Sequence, residues 1–334
     1  MKLLIVTLCL GLAVAVKLQK PTEFLYYRDP DNARELYEEF KRKYNKRFSS
    51  DDDEYRFTVF KNNLMRAELY QTLEQGTAEY GITQFSDLTA EEFTDLYANA
   101  KLKNHARTSK EIDIKNVKHL PDSIDWRSLG AVNPVEQQGA CGSCWAFSTI
   151  GNVEGQWFKK TGNLIVLSKQ QLLDCDKVDE GCNGGYPMDA YKELKRMGGV
   201  ESQSTYPYTG RQSSQCWLDK SLFVAYLNDS VMLPKDELKQ AAWLADNGPL
   251  SVALNADQLQ FYRRGISHPP DYLCPASGLN HAVLSVGYGS ENGTPYWIVK
   301  NSWGTRWGEN GYFRIYRGDG TCGINDYVTT AIIA

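Results

Sequence analysis

The chain is poor in histidine, has no polybasic run, and has no apolar stretch long enough to cross a bilayer. Each shortage excludes something. Four histidines in 334 residues leave no room for an extended metal apparatus. The 37 basic residues stand against 41 acidic ones, a formal charge of −4, and nowhere cluster, which argues against a nucleic-acid partner. The long apolar run at the N-terminus, Leu3–Val16, has 14 residues, short of the ~20 that span a membrane. With Lys2 before it and small residues at its end, it reads as a signal peptide cleaved near Ala15 to Lys17. A buried N-terminal helix is the other reading. Cysteine is missing from Leu10 to Ala140, so that stretch cannot be disulfide-stapled.

What is present is globular: 42% apolar, 12% aromatic and 23% charged residues, enough for two or three domains at ~100–200 residues each. Removal of residues 1–16 takes Cys9 with it and leaves seven cysteines, all between Cys141 and Cys322. Seven is odd, so in an oxidising compartment one thiol stays unpaired. Asp31 to Gly76 has helical spacing, with Leu36, Phe40 and Tyr44 every four residues and Phe57, Phe60, Leu64 and Ala67 at three or four; Gly76 is the expected stop. Lys101 to Lys118 is polar, free of aromatics and reads as an exposed linker. The layout is a cysteine-free helical module, a linker and a cysteine-bearing half. That suits a zymogen, and it also suits an ordinary two-domain secreted protein.

The segment GACGSCWAFSTIGNVEGQWFKKTG carries the strongest chemical signal. Ser143 is a good N-cap residue. Ala146, Ile150, Val153 and Trp157 then form an apolar stripe, and Gly162 ends it. Cys144 therefore lies in the first turn of a helix, where backbone N–H groups favour a thiolate. A Cys-x-x-Cys pair can also be a redox motif or half a zinc site, but no small βαβ unit surrounds it, and Cys175 and Cys182 bring no histidine. A thiolate nucleophile wants an imidazole beside it and a third group to orient the ring. His105 and His119 lie in or beside the linker and His268 in a proline-rich loop. His281 stands at the mouth of an apolar run that reads as a buried strand. Beyond it, Tyr296 to Lys300 reads as another strand. Asn301 follows and can hold the His281 ring, with Trp303 shielding that bond from water.

GACGSCWAFS, NHAVLSVGYG and KNSWGTRWGENGYF together resemble the papain-like cysteine proteases, the cathepsin family. Cys144 to His281 is 137 residues and Cys144 to Asn301 is 157, against a family spacing of about 130–150. The resemblance covers nearly everything after the signal peptide. It implies an α+β fold with a helical left domain (roughly 121–230), a β-barrel-like right domain (roughly 231–334) and a cleft between them, behind an inhibitory pro-segment over residues 17–120. It makes Cys144 the nucleophile, His281 the general base and acid, Asn301 its orienter, and Gln138 the side-chain donor of the oxyanion hole beside the Cys144 backbone N–H. It pairs Cys141 with Cys182, Cys175 with Cys216 and Cys274 with Cys322, leaving Cys144 free. Asp52, Arg56, Phe60, Asn63, Ala67 and Gln71 align with the family's interrupted pro-segment motif. Their Ala/Gln ending resembles the cathepsin F-like subgroup rather than the cathepsin L-like one, and Asp52 stands where the family has Glu. Gly81, Phe85 and Asp87 resemble its second motif. With only about 100 residues between the expected signal peptide and the expected mature enzyme, the long cystatin-like extension of some members is not expected here.

By the same resemblance Gly184 and Gly185 pair with substrate backbone, alongside Asn280 and Trp303. Tyr186, Pro187, Ala253, Leu279, Ala282 and Tyr327 line the pocket for the second residue before the scissile bond. None of these is acidic, so an apolar residue is expected there. No His-His insertion of the cathepsin B kind lies between Cys182 and Cys216, so an endopeptidase is expected. The expected partners are protein and peptide substrates, the chain's own pro-segment and cystatin-type inhibitors; no cofactor and no metal is implied, and the family default is a monomer. Acid-labile contacts around Asp87, Glu91 and Glu92 are expected to release the pro-segment. Asn228 and Asn292 stand in glycosylation sequons, which suits the secretory pathway, with a lysosomal or extracellular destination. A catalytically inactive homologue, a pro-segment acting as an inhibitor in trans, and a thiol–disulfide oxidoreductase on Cys141 and Cys144 are the competing readings.

Overall fold

Three helices lie among the described residues up to Ala100. The computed structural model describes residues 30–100, 111–114 and 120–333. The signal-peptide expectation, Cys9, most of the linker and the cleavage region before Leu120 lie outside them. Helices α1 (Pro30–Tyr44) and α2 (Ser50–Leu73) cross on their aromatic stripes. Tyr37 and Phe40 from α1 meet Phe57 and Phe60 from α2, with ring centroids 5.2–5.4 Å apart. The single helical stretch expected from the spacing is thus two helices, broken where Asn45 takes a positive φ of 53°. Gly76 is not the stop either, because α2 ends three residues earlier. Its lack of a side chain serves close approach: a Cβ there would sit 2.2 Å from the Ile266 carbonyl oxygen. Helix α3 (Ala90–Tyr97) starts with a capping box between Thr89 and Glu92.

The pro-segment motif residues bind this layer together. Asn63 is buried and donates through Nδ2 to the carbonyls of Ser86 (3.0 Å) and Leu88 (2.7 Å). Arg56 reaches Glu92 at 2.7 Å and the Asp87 carbonyl at 3.0 Å. Gln71 donates to the Ala78 carbonyl and accepts from the Tyr80 N–H. That last pair aligns β1 (Glu79–Tyr80) against β7 (Tyr262–Arg264), joining the helical layer to the sheet half.

In the left half, α4 (Cys144–Thr161) is buried along its first three turns and ends on Gly162 at φ 77°. Ser143 precedes it, as expected, but does not cap it. Its hydroxyl bonds Tyr208 Oη at 2.8 Å and accepts no helix N–H. Helix α5 (Lys169–Cys175) and α6 (Pro187–Met197) pack on α4. A short pairing of β3 (Val200–Glu201) with β4 (Phe223–Ala225) completes this half. The right half is an antiparallel-rich sheet in the order β5 (Leu227–Met232), β12 (Val328–Ile333), β6 (Leu250–Leu254), β9 (His281–Glu291), β10 (Thr294–Lys300), β11 (Tyr312–Tyr316), β8 (Ile266–Ser267), flanked by α7 (Glu237–Asn247). A single cut near residue 230 does not separate the halves. The early strand β2 (Ile124–Asp125) crosses over to pair with β9, and β5, counted with the helical half, joins the last strand β12. The architecture is α+β. Disulfides link Cys141 to Cys182, Cys175 to Cys216 and Cys274 to Cys322, and Cys144 is free. Among the described residues no helix is long and apolar enough to cross a membrane.

Candidate active site

Cys144 opens α4 and His281 opens β9, so the two halves of the fold each supply one group. Both are fully buried. His281 Nε2 lies 2.8 Å from Asn301 Oδ1. Asn301 Oδ1 also accepts the backbone N–H of Ser302 at 2.8 Å, which fixes that atom as an acceptor. The Nε2 must then carry the proton, and in the neutral ring Nδ1 is the bare, basic nitrogen. Nδ1 has no hydrogen-bond partner. Trp303 stacks on the imidazole at 4.7 Å and 21° and is itself buried, so water cannot compete for the His–Asn bond.

Gln138 is bolted to the same loop. Its N–H donates to the Ser302 carbonyl at 2.8 Å, and its Oε1 accepts from Ser302 Oγ at 2.6 Å. With Oε1 occupied, Nε2 points the other way as a donor. It bonds the carbonyls of Cys141 (2.9 Å) and Tyr97 (3.3 Å). Ser302 is a positioning residue that the sequence flags only by adjacency to Asn301.

The segment after α3 lies across these groups. The Tyr97 carbonyl accepts from both Gln138 Nε2 and Trp303 Nε1. Phe85, Phe93 and Tyr97 form an aromatic cluster in which Phe85 and Phe93 meet Trp303 edge-on (T-shaped) at 5.2–5.3 Å. The Asn99 backbone N–H reaches Cys144 Sγ, and its side chain donates to the Asn183 carbonyl at 3.1 Å. Ala100 pairs in parallel with Gly185 and donates to the Asn280 carbonyl at 2.7 Å. Ala100 packs in one apolar cluster with Tyr186, Ala253, Ala282 and Tyr327, and Leu279 lies against it. Pro187 starts α6 beside them. Tyr327 Oη accepts the Met188 N–H, and its ring lies 4.8 Å from that of Tyr186, so the floor of this pocket is a pinned phenol.

Burial sets the charge state of the covered pair. It pushes the Cys144 thiol up to about 11, against the backbone N–H groups of Ala282, Trp145, Asn99 and Cys144 itself. It pushes His281 down to about 4, against the Asn301 bond. The helix N-terminus expected to favour a thiolate is therefore outweighed while the cleft is covered. Among the described residues no group of three or more His, Cys, Asp or Glu is arranged to hold a metal. Asn228 is exposed on β5, and Asn292 is exposed at the β9–β10 turn.

A model of the papain family cysteine proteases matches residues 120–332. The chain belongs to that family. A cathepsin propeptide inhibitor domain matches residues 37–93. Cathepsin F of Mus musculus is 49% identical over 300 residues, covering 89% of this chain and 64% of that protein. Cathepsin F of Drosophila melanogaster is 42% identical over 315 residues, covering 91% and 51%. The chain thus spans between half and two thirds of the length of these two relatives. The solved structure of digestive procathepsin L2 proteinase from Tenebrio molitor larval midgut superposes with a TM-score of 0.82 at 34% identity, covering 90% of this chain and all of that one. The papain-like two-domain fold with a covering pro-segment is therefore the fold of this chain.

Proposed function

We propose that this chain is the zymogen of a cysteine endopeptidase, with Cys144 as nucleophile, His281 as general base and acid, Asn301 as orienter and Gln138 as oxyanion donor. The observation that carries the reading is that residues 97–100 occupy the groups a substrate would need: the Gln138 donor, the face of Cys144 and the Gly185 edge. Residues 17–120 act as the inhibitory pro-segment behind a signal peptide (1–16), and 121–334 are the peptidase. The cover passes Trp303 first and reaches Gly185 and the Tyr327 pocket last. A substrate would enter that pocket two residues before its scissile bond and pass Trp303 after it. The cover therefore runs opposite to a substrate, which explains why it is not cut in place.

Once the cover leaves, rehydration removes the burial that keeps both groups neutral. The Cys144 proton moves to His281 Nδ1, and the thiolate attacks the peptide carbonyl carbon. The carbonyl oxygen gains the negative charge, held by Gln138 Nε2 and the Cys144 N–H, each donor contributing about 2.7–4 kcal/mol. His281 returns the proton to the leaving amine. Water, deprotonated by the freed His281, then hydrolyses the thioester and regenerates the thiol. The pinned Tyr327 floor and apolar walls favour Leu, Val or Phe in the pocket. The enzyme works in the lysosome or outside the cell, as a glycosylated monomer open to cystatin-type inhibitors.

The test is a paired assay of wild type and Cys144→Ala at mildly acidic pH, on a fluorogenic peptide with Leu or Phe at the second position. Wild type cleaves and is blocked by an epoxide thiol inhibitor, while the variant falls by at least about 10³-fold. If neither cleaves although residues up to 120 have been trimmed, the chain is an inactive or inhibitory homologue. A preference for Arg over Leu overturns the pocket assignment.

A further inference from the structure

Behind the glycine wall of the cleft lie two carboxyl groups that the proposed reaction does not use. Asp176 follows the end of α5 and is 8% exposed. Its Oδ1 accepts the N–H groups of Val178 (2.7 Å) and Asp179 (3.0 Å). Asp179 Oδ1 accepts the Tyr186 N–H at 2.8 Å. The other two oxygens, Asp176 Oδ2 and Asp179 Oδ2, are both buried and have no hydrogen-bond partner, while the two side chains lie within hydrogen-bonding reach of each other.

The charges around the pair relieve it only in part, since Arg196 attracts Asp176. Glu193 and Asp189, both from α6, add negative potential. Arg196 is held by Glu193 through two contacts of 2.7–2.8 Å, and Lys192 is held by Asp189 at 2.6 Å. Lys177 exerts its pull on Glu193, to which its backbone N–H also donates. Burial first, then the neighbouring Asp176 charge, pushes Asp179 up to about 9, and burial raises Asp176 as well. A single proton shared between the two carboxyl groups makes one a donor and leaves the other its acceptor.

We propose that Asp176 and Asp179 share one proton, and that this acid–carboxylate hydrogen bond is a positioning clamp for the Gly184–Tyr186 wall of the substrate cleft. The connection to the wall is direct. Asp179 holds the Tyr186 N–H, and the Gly184 carbonyl accepts the Glu180 N–H at 2.9 Å. A Cβ on Gly185 would come 2.9 Å from the Asp179 Cβ, so the aspartate backs the segment that pairs with substrate. The consequence for binding rests on the reading of this cleft as the substrate site; the shared proton does not. Because the folded pair holds its proton well above the ordinary carboxylate range, the clamp is closed at acidic and neutral pH. It opens as pH rises toward 9.

Two measurements test it. In the mature enzyme, KM for an apolar peptide should rise about three- to tenfold between pH 6 and pH 9. In Asp179→Asn, whose amide oxygen can keep the Tyr186 N–H and whose Nδ2 can donate permanently to Asp176, KM should stay flat over that range and match wild type at pH 6. Infrared spectroscopy of the Cys144→Ala precursor at neutral pH should show a buried protonated-carboxyl band. That band should vanish when either Asp179→Asn or Asp176→Asn is added, so the failure of one variant to fold leaves the other. A missing band, a band that survives both substitutions, or the same KM profile in wild type and Asp179→Asn overturns the proposal. So does a melting temperature that falls with a chelator and no band, which would put a cation where the proton is placed. If the mature wild type cleaves nothing at any pH, the catalytic reading fails, while the infrared band still decides the pair.

Discussion

Residues 30–100 and residues 120–333 lie in one structure but are held by different means. The first region has no cysteine. It holds itself together by one aromatic cluster and by ion pairs such as Lys46–Asp87 (2.8 Å) and Arg56–Glu92 (2.7 Å), and it docks by lending Tyr70, Phe85 and Phe93 to a core of the second region. The second has three disulfides and two large cores, and its buried pair Lys169–Glu154 is about 98% removed from water at both ends. The Arg56–Glu92 contact is lost as Glu92 protonates in acid, whereas disulfides are not. A cover built from the first kind of contact can come off under conditions that leave the enzyme folded.

The contrast can be broken from either side. Phe60 is fully buried and touches Tyr37 and Phe40. Phe60→Ala should cost the cover about 3–5 kcal/mol. In a Cys144→Ala background, added protease should then digest residues 30–100 at neutral pH and spare 120–333; equal digestion of both would mean the regions fold as one unit. From the other side, the Cys274–Cys322 bridge spans 48 residues. Replacing both with Ser should remove about 2–5 kcal/mol from the peptidase. The urea midpoint of the mature enzyme should fall, and the cover's susceptibility should not change.

A smaller effect sharpens the acid argument. The Arg56 hydrogen bond holds Glu92 below its ordinary range. A depressed carboxylate contributes stability that is present above its unfolded pKa and lost as pH falls through the folded one. Acid therefore weakens the cover through Glu92. Glu91, expected to share this role, is exposed and turned toward the Thr89 cap. Glu92→Gln keeps a capping-box side chain and removes the charge, a loss of about 1.5–3 kcal/mol. The variant precursor should mature faster than wild type at neutral pH, and the two rates should converge in stronger acid, below the depressed pKa of folded Glu92. Equal rates at both would remove Glu92 from the trigger.

The sequence was most readable where chemistry fixes residue type over a short span. Cys144 at a helix start, His281 at a strand mouth, and Asn301 with Trp303 each sit in a compact local pattern, and the structure gathers all four at one place. The fold class was readable for the same reason. What stayed hidden involves partners far apart in the chain. Ser143 looked like a cap because nothing nearby shows that Tyr208, 65 residues on, takes its hydroxyl. Ser302 orients Gln138 across 164 residues. The crossing of β2 into the sheet cannot be seen in two residues, Ile124 and Asp125, that could pair with any open edge. The break at Asn45 was missed because the aromatic spacing continues on both sides of it.

The smallest expected effect concerns two acids at the junction between the regions. Glu74 is mostly buried and accepts the N–H of His268 (2.6 Å), the N–H of Gly76 (2.7 Å) and the Tyr80 hydroxyl (2.6 Å). Burial raises its pKa despite those donors, so protonation through Glu74 favours the docked cover, opposite in sign to Glu92. Glu79 reaches Arg264 at 2.7 Å, but both side chains stand largely in water. Arg264 lowers the Glu79 pKa, so this pair does weaken in acid, yet solvent screens it. The backbone bonds of Thr77 and Gly81 to Ile266 and Phe261 hold the same edge without any charge. Glu79→Gln should therefore leave the maturation half-time within about twofold of wild type at any pH. A larger change would mean that surface charge, rather than half-buried pairs such as Arg56–Glu92, keeps the cover in place.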